Sequence, residues 1–82
     1  MRALNIEERS GAIKRYVDYM QQRVMKEDEC QILFLVKEEV LSIEKLLSKG
    51  KKTEERANSE LDGLHEILLR FGPFNENMYA PS

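Results

Sequence analysis

The sequence predicts an all-α fold, a small antiparallel three-helix bundle or a helical hairpin that self-associates, and three observations lead there. Apolar residues recur at alternating steps of three and four through most of the chain, the spacing that lines one face of an α-helix. Gly50 and Gly72-Pro73 stand just past the ends of such runs, where glycine and proline stop helices. The chain has only 82 residues, and below roughly 70 to 80 residues a lone core seldom supplies more than about 3 to 5 kcal/mol. With one cysteine and one histidine, no internal disulfide or structural metal is expected to staple the fold. Well-packed helices and self-association must then supply the remaining stability.

Residues 1–72 are expected to form a single helical domain with helices at about 6–25, 29–48 and 54–71, followed by a C-terminal tail at 73–82. In the first helix Ile6, Ile13, Tyr16, Val17, Met20 and Val24 make a narrow apolar stripe, with Asn5 as its cap. Glu7 and Glu8 suit the positive end of the helix dipole, while Gly11 weakens the middle by roughly 1 kcal/mol relative to alanine. The end of this helix carries no glycine or proline. Asp28 as a cap, with Gln31 three residues on, would form a capping box and start a second helix. The alternative is one helix over 6–48, which would have to dimerise. The break is preferred because helices in globular domains average about 11 to 12 residues.

Leu33, Val36, Val40, Ile43 and Leu47 form the seam of the middle helix. Ile32, Phe34, Leu35 and Leu41 spread its apolar surface over further faces, as expected of a helix packed on two sides. Lys49-Gly50-Lys51-Lys52 supplies both a left-handed stop and cations at the negative end of the dipole. Thr53 caps the third helix, whose seam is Ala57, Leu61, Leu64, Leu68 and Phe71. The tail loses the helical pattern but keeps Phe74, Met78 and Tyr79, so it either folds back over the bundle or docks on a partner.

Charge narrows the function classes. The net charge is −2, which disfavours nucleic-acid binding through a basic surface and is too small for repulsion to keep the chain open. That total conceals +3 over residues 1–26, −4 over 27–48 and −1 over the rest. Opposite signs on consecutive helices favour antiparallel pairing, within one molecule or between two. The longest apolar run, Ile32 to Val36, is far below the roughly 18 residues of a membrane span. The opening Met1-Arg2-Ala3-Leu4 leads into Glu7-Glu8-Arg9 without an apolar stretch, so no secretory signal is expected. A single Cys30 fits a reducing cytoplasm.

Catalytic constellations are sparse. His65 lies beside the third seam with Asp62 and Glu66 nearby; it is read as a boundary residue, since a di-iron bundle needs two Glu-x-x-His motifs and two further glutamates. Cys30, next to Asp28 and Glu29, reads as a buried structural thiol because those carboxylates oppose thiolate formation. Lys49, Lys51, Lys52, the Lys14-Arg15 pair and Arg2 with Arg9 read as solvated helix ends. No cofactor and no metal is expected.

One short motif points elsewhere. Asn58-Ser59-Glu60-Leu61-Asp62 resembles the S-Q-E-L-D signature of the small helical-hairpin aspartyl-phosphate phosphatases that act on the sporulation response regulator of Bacillus. It agrees at Glu60, Leu61 and Asp62 and departs at Asn58 and Ser59; the preceding helix and loop are shorter than that family's hairpin, and the first 25 or so residues are extra. The resemblance implies a catalytic face at Asp62 and a hairpin seam at Leu61.

The leading expectation is a non-catalytic module that binds another protein as a regulator, inhibitor or adaptor, and pairs with a second copy of itself. Response-regulator phosphatase and weak nucleic-acid binder are the alternatives. The partner-binding residues expected are Tyr16 and Tyr19 on the first helix, Phe34 and Leu41 on the middle one, and Phe74, Met78 and Tyr79 in the tail, because aromatics and methionine are favoured in interface cores.

Overall fold

A computed structural model describes residues 3–23 and 26–80. Among these the chain is all-helical, with no strand: α1 (Ile6–Gln21), α2 (Glu27–Ser48), α3 (Glu54–Leu69) and the single turn α4 (Glu76–Tyr79). Asn5 caps α1 through a full capping box, its Oδ1 accepting from Glu8 N at 2.8 Å while Glu8 Oε1 accepts from Asn5 N at 3.1 Å. Thr53 Oγ1 accepts from Arg56 N at 3.2 Å to cap α3.

The chain does break between the first two helices. α1 ends at Gln21 in a turn through Gln22 and Arg23, short of the expected 25; Val24 and Met25 lie outside the described residues, as does Arg2. Asp28 is not the cap of α2. Lys26 takes that position without a side-chain bond, and Glu27, Asp28 and Glu29 all sit in the first turn. Three carboxylates against the positive helix end replace the single capping oxygen, and Asp28 Oδ1 accepts from Glu29 N.

Gly50 closes α2 in a Schellman arrangement: its N–H donates to Leu47 O at 3.0 Å, and Lys51 N donates to Leu46 O at 2.8 Å. Its φ is +70°. Gly63, by contrast, is inside α3, and at both positions an added Cβ would have no atom within 4 Å. Gly50→Ala is therefore expected to destabilise the fold by about 1 kcal/mol through backbone strain alone, and Gly63→Ala to stabilise it by about 0.5 to 1 kcal/mol. Thermal melts of the two variants should move in opposite directions. α3 stops two residues short of the expected 71, its last turn tightened by i to i+3 bonds from Arg70 N and Phe71 N ahead of Gly72-Pro73.

The three long helices share one core built from Ile13, Tyr16 and Val17, Leu33, Val36, Val40 and Ile43, Ala57, Leu61, Leu64 and Leu68, with Phe74 added from beyond α3. The charge split appears as cross-links between antiparallel α1 and α2: Lys14 Nζ lies 3.0 Å from Glu44 and Lys37 Nζ lies 2.7 Å from Asp18. Both pairs are partly exposed, so they set orientation more than stability. α2 packs on two sides, against α1 and α3, yet its surplus apolar residues stay uncovered.

Candidate functional site

α1 and α3 both run antiparallel to α2, which brings their N-terminal halves side by side, and the strip where they meet, bordered by Arg9 and Tyr16 of α1 and His65 of α3, forms a groove that the segment after α3 fills. Arg9 spans this groove. Its Nε donates to Glu76 Oε1 at 2.8 Å and its Nη2 to Glu76 Oε2 at 3.1 Å, a two-pronged contact with one carboxylate. Nη2 also meets Asp62 Oδ1 at 2.7 Å, and Nη1 reaches Asn58 Oδ1 at 3.2 Å and its carbonyl at 3.4 Å. His65 Nδ1 lies 2.7 Å from Glu76 Oε2. An ionised carboxylate only accepts, so the imidazole nitrogen facing it carries the hydrogen.

Glu76 is buried at 9% exposure. Burial pushes its carboxyl up, but hydrogen bonds and charge from Arg9 and His65 outweigh burial and hold it below the usual carboxylate range. The Glu76 hydrogen bond is likewise the largest influence keeping Arg9 protonated, against the opposing effect of its burial. A carboxylate whose pKa is lower in the folded than in the unfolded chain contributes stability that is fully present above its unfolded value, near 4.3, and lost as pH falls through the folded value. The unsubstituted chain is thus expected to lose more of its denaturation midpoint between about pH 7 and pH 3 than Glu76→Gln does. Equal losses in urea titrations at the two pH values would contradict this.

The segment after α3 folds back over the groove. The Phe74 ring lies 4.6 Å from the Tyr16 ring and 4.9 Å from the His65 ring, and Tyr79 meets Tyr16 edge-on at 5.1 Å. Asn75 Oδ1 accepts from Asn77 N and starts the one-turn α4.

The expected partner-binding residues divide accordingly. Tyr16 and Phe74 are not on a free surface: both are core residues, because the returning segment covers one with the other. Burial raises the Tyr16 hydroxyl pKa, with Tyr79 and Tyr19 adding to it. Tyr79 is half-buried in the same cluster. Tyr19, Phe34, Leu41 and Met78 are exposed, Tyr19 under the Arg23 guanidinium at 4.4 Å. The structure therefore gathers Tyr16, Tyr19, Phe74 and Tyr79 into one aromatic group and leaves Phe34 and Leu41 apart on α2.

Other expectations are revised by contacts that span the sequence. Arg9, Lys14 and Lys52 are not merely solvated helix ends, since each holds a carboxylate, Lys52 pairing with Glu60. That hydrogen bond is the main reason the Glu60 carboxyl sits below its ordinary range. Cys30 is half-buried rather than enclosed. In the Asn58–Asp62 segment, Leu61 is fully buried at the seam while Asp62, with its side chain 70% exposed, is engaged by Arg9. Arg9 with Glu76 is the feature that sequence reasoning missed; a lone acid between Phe74 and Tyr79 was the available signal. Among the described residues no group of three His, Cys, Asp or Glu side chains could hold a metal ion, and no helix is long and apolar enough to cross a membrane.

The second surface is on α2. Ile32, Phe34, Leu35 and Leu41 are 42 to 64% exposed. At about 100° per residue, Phe34 and Leu41 fall on one flank of the buried seam and Ile32 and Leu35 on the other, the latter pair forming a shallow apolar cleft with Val36, Leu64 and Ile67. No family model, no curated protein and no solved structure matches the chain.

Proposed function

We propose that this protein is a small non-catalytic helical module that binds another protein as a regulator, inhibitor or adaptor, and that it self-associates. The observation that supports this is the apolar excess of α2: four large side chains uncovered on a helix whose seam is already filled by α1 and α3. Exposed apolar surface concentrated on one element of a small domain marks interaction sites. The lone Cys30 favours a cytoplasmic setting.

The two flanks permit two contacts at once, one with a second copy and one with a partner. Phe34→Glu with Leu41→Glu, and separately Ile32→Glu with Leu35→Glu, are expected to leave helicity by circular dichroism unchanged because none of the four is in the core. At least one pair should lower the mass measured by light scattering, and the other should abolish capture of the partner. A protein that is monomeric at every concentration and whose captured proteins are the same with both double variants would overturn the proposal.

A further inference from the structure

We propose that the groove between α1 and α3 is a peptide-binding site, occupied by the chain's own residues 74–79, and that it accepts in trans an acidic aromatic segment of another protein. The segment required has an aromatic residue two places before a carboxylate and a second aromatic three places after it, as Phe74, Glu76 and Tyr79 do. This surface is distinct from the α2 flanks and stands or falls independently of them.

Four observations separate a receptor from a ligand here. On the receptor side Arg9 has contacts that do not involve the segment, with Asn58 and Asp62 of α3. A guanidinium fixed in this way presents its Nε and Nη2 hydrogens as a fork matched to one carboxylate, the geometry proteins use to recognise acidic motifs. The specificity elements converge: three N–H groups, from Arg9 Nε, Arg9 Nη2 and His65 Nδ1, meet the two oxygens of Glu76, and the Tyr16 and His65 rings receive Phe74. Losing the carboxylate would strand those donors in a largely buried place.

The ligand side has little structure of its own. α4 is one turn long, its backbone lies against α1 alone among the helices, and it is joined to α3 through Gly72, at φ +148°, and Pro73. Charge fits as well, because the segment brings one carboxylate to a site whose donors are a guanidinium and an imidazole. A resident segment of this kind acts as an intramolecular competitor at roughly millimolar effective concentration, so a trans ligand binds appreciably only when the resident contacts are weakened or outmatched.

The test uses the full chain and, as probe, a fluorescent peptide of residues 72–80. Phe74→Ser with Glu76→Gln weakens the resident segment and leaves every groove residue in place. This variant should bind the probe at least about tenfold more tightly than the unsubstituted chain, as removal of a competitor requires. Adding Arg9→Ala should cost about tenfold or more in that affinity, and a scrambled peptide, with the aromatic and the acid no longer two apart, should not compete. Equal affinity for the variant and the unsubstituted chain, or binding indifferent to Arg9, would overturn the proposal. So would loss of helicity in both the double variant and Glu76→Gln alone, since the segment would then be an inseparable part of the core.

Discussion

Arg9→Ala is expected to destabilise the protein by about 2 to 4 kcal/mol, far more than an ordinary surface arginine. Removing one partner of a buried pair leaves the other charge without compensation, at a cost near 3 to 5 kcal/mol when burial is complete. Here the Arg9 and Glu76 side chains are 15% and 10% exposed, which places the effect somewhat below that range. His65 also contacts Glu76, a partner that the substitution does not remove and that limits the expected loss further. Asp62 touches the same guanidinium, but its side chain is 70% exposed, so Asp62→Asn should cost less than about 1 kcal/mol. Urea denaturation followed by circular dichroism separates the two: a large shift for Arg9→Ala beside a small one for Asp62→Asn is expected, and similar shifts for both would show that burial of the Glu76 contact does not govern the energetics.

Leu61→Ala should have a comparable or larger effect by a different route. Leu61 is fully buried where α3 meets the shared core, and truncating such a leucine costs roughly 2 to 5 kcal/mol in lost transfer energy and residual cavity. A chain of 82 residues holds about 4 to 12 kcal/mol in total at typical stability per residue. A single cavity therefore removes a large share of it. At roughly 4 to 8 °C per kcal/mol for a domain of this size, the melting midpoint should fall by at least about 8 °C. Leu41→Ala is the control, being the same change at an exposed position on α2, with an expected effect within about 0.5 kcal/mol. If the two leucines melted alike, the core would not be where the structure places it.

The features legible in the sequence are those made by near neighbours along the chain. Asn5 with Glu8, Thr53 with Arg56, Gly50 with Leu47 and Lys51 with Leu46 are contacts over three to five residues, and each follows from residue type and local geometry. The seams of α2 and α3 also follow from spacing, since residues three and four apart share a helix face. The end of α1 was less legible because no glycine or proline marks it, and the start of α2 was displaced from Asp28 because three acidic residues in a row make several starting positions nearly equivalent.

The candidate sites were legible only in part. Phe34 and Leu41 are exposed, as a surplus on an already filled helix implies. Tyr16 and Phe74 are large, largely apolar side chains as well and had the opposite outcome, because the segment after Gly72 returns and buries one against the other. Nothing local distinguishes the two cases. Arg9 and Glu76 stand 67 residues apart, and each resembles an ordinary surface charge until the fold brings them to 2.8 Å.

By itself, then, the sequence determined the helical class, the caps of α1 and α3 and the apolar faces of the three long helices, all set by hydrogen bonds and side-chain contacts within a turn or two. Tertiary structure alone decided which aromatics are core, which charges are buried and what the segment after α3 does. Burial and ion pairing depend on which distant element arrives at a given face, and the free energy of a charge changes with its surroundings far more than with its neighbours in sequence.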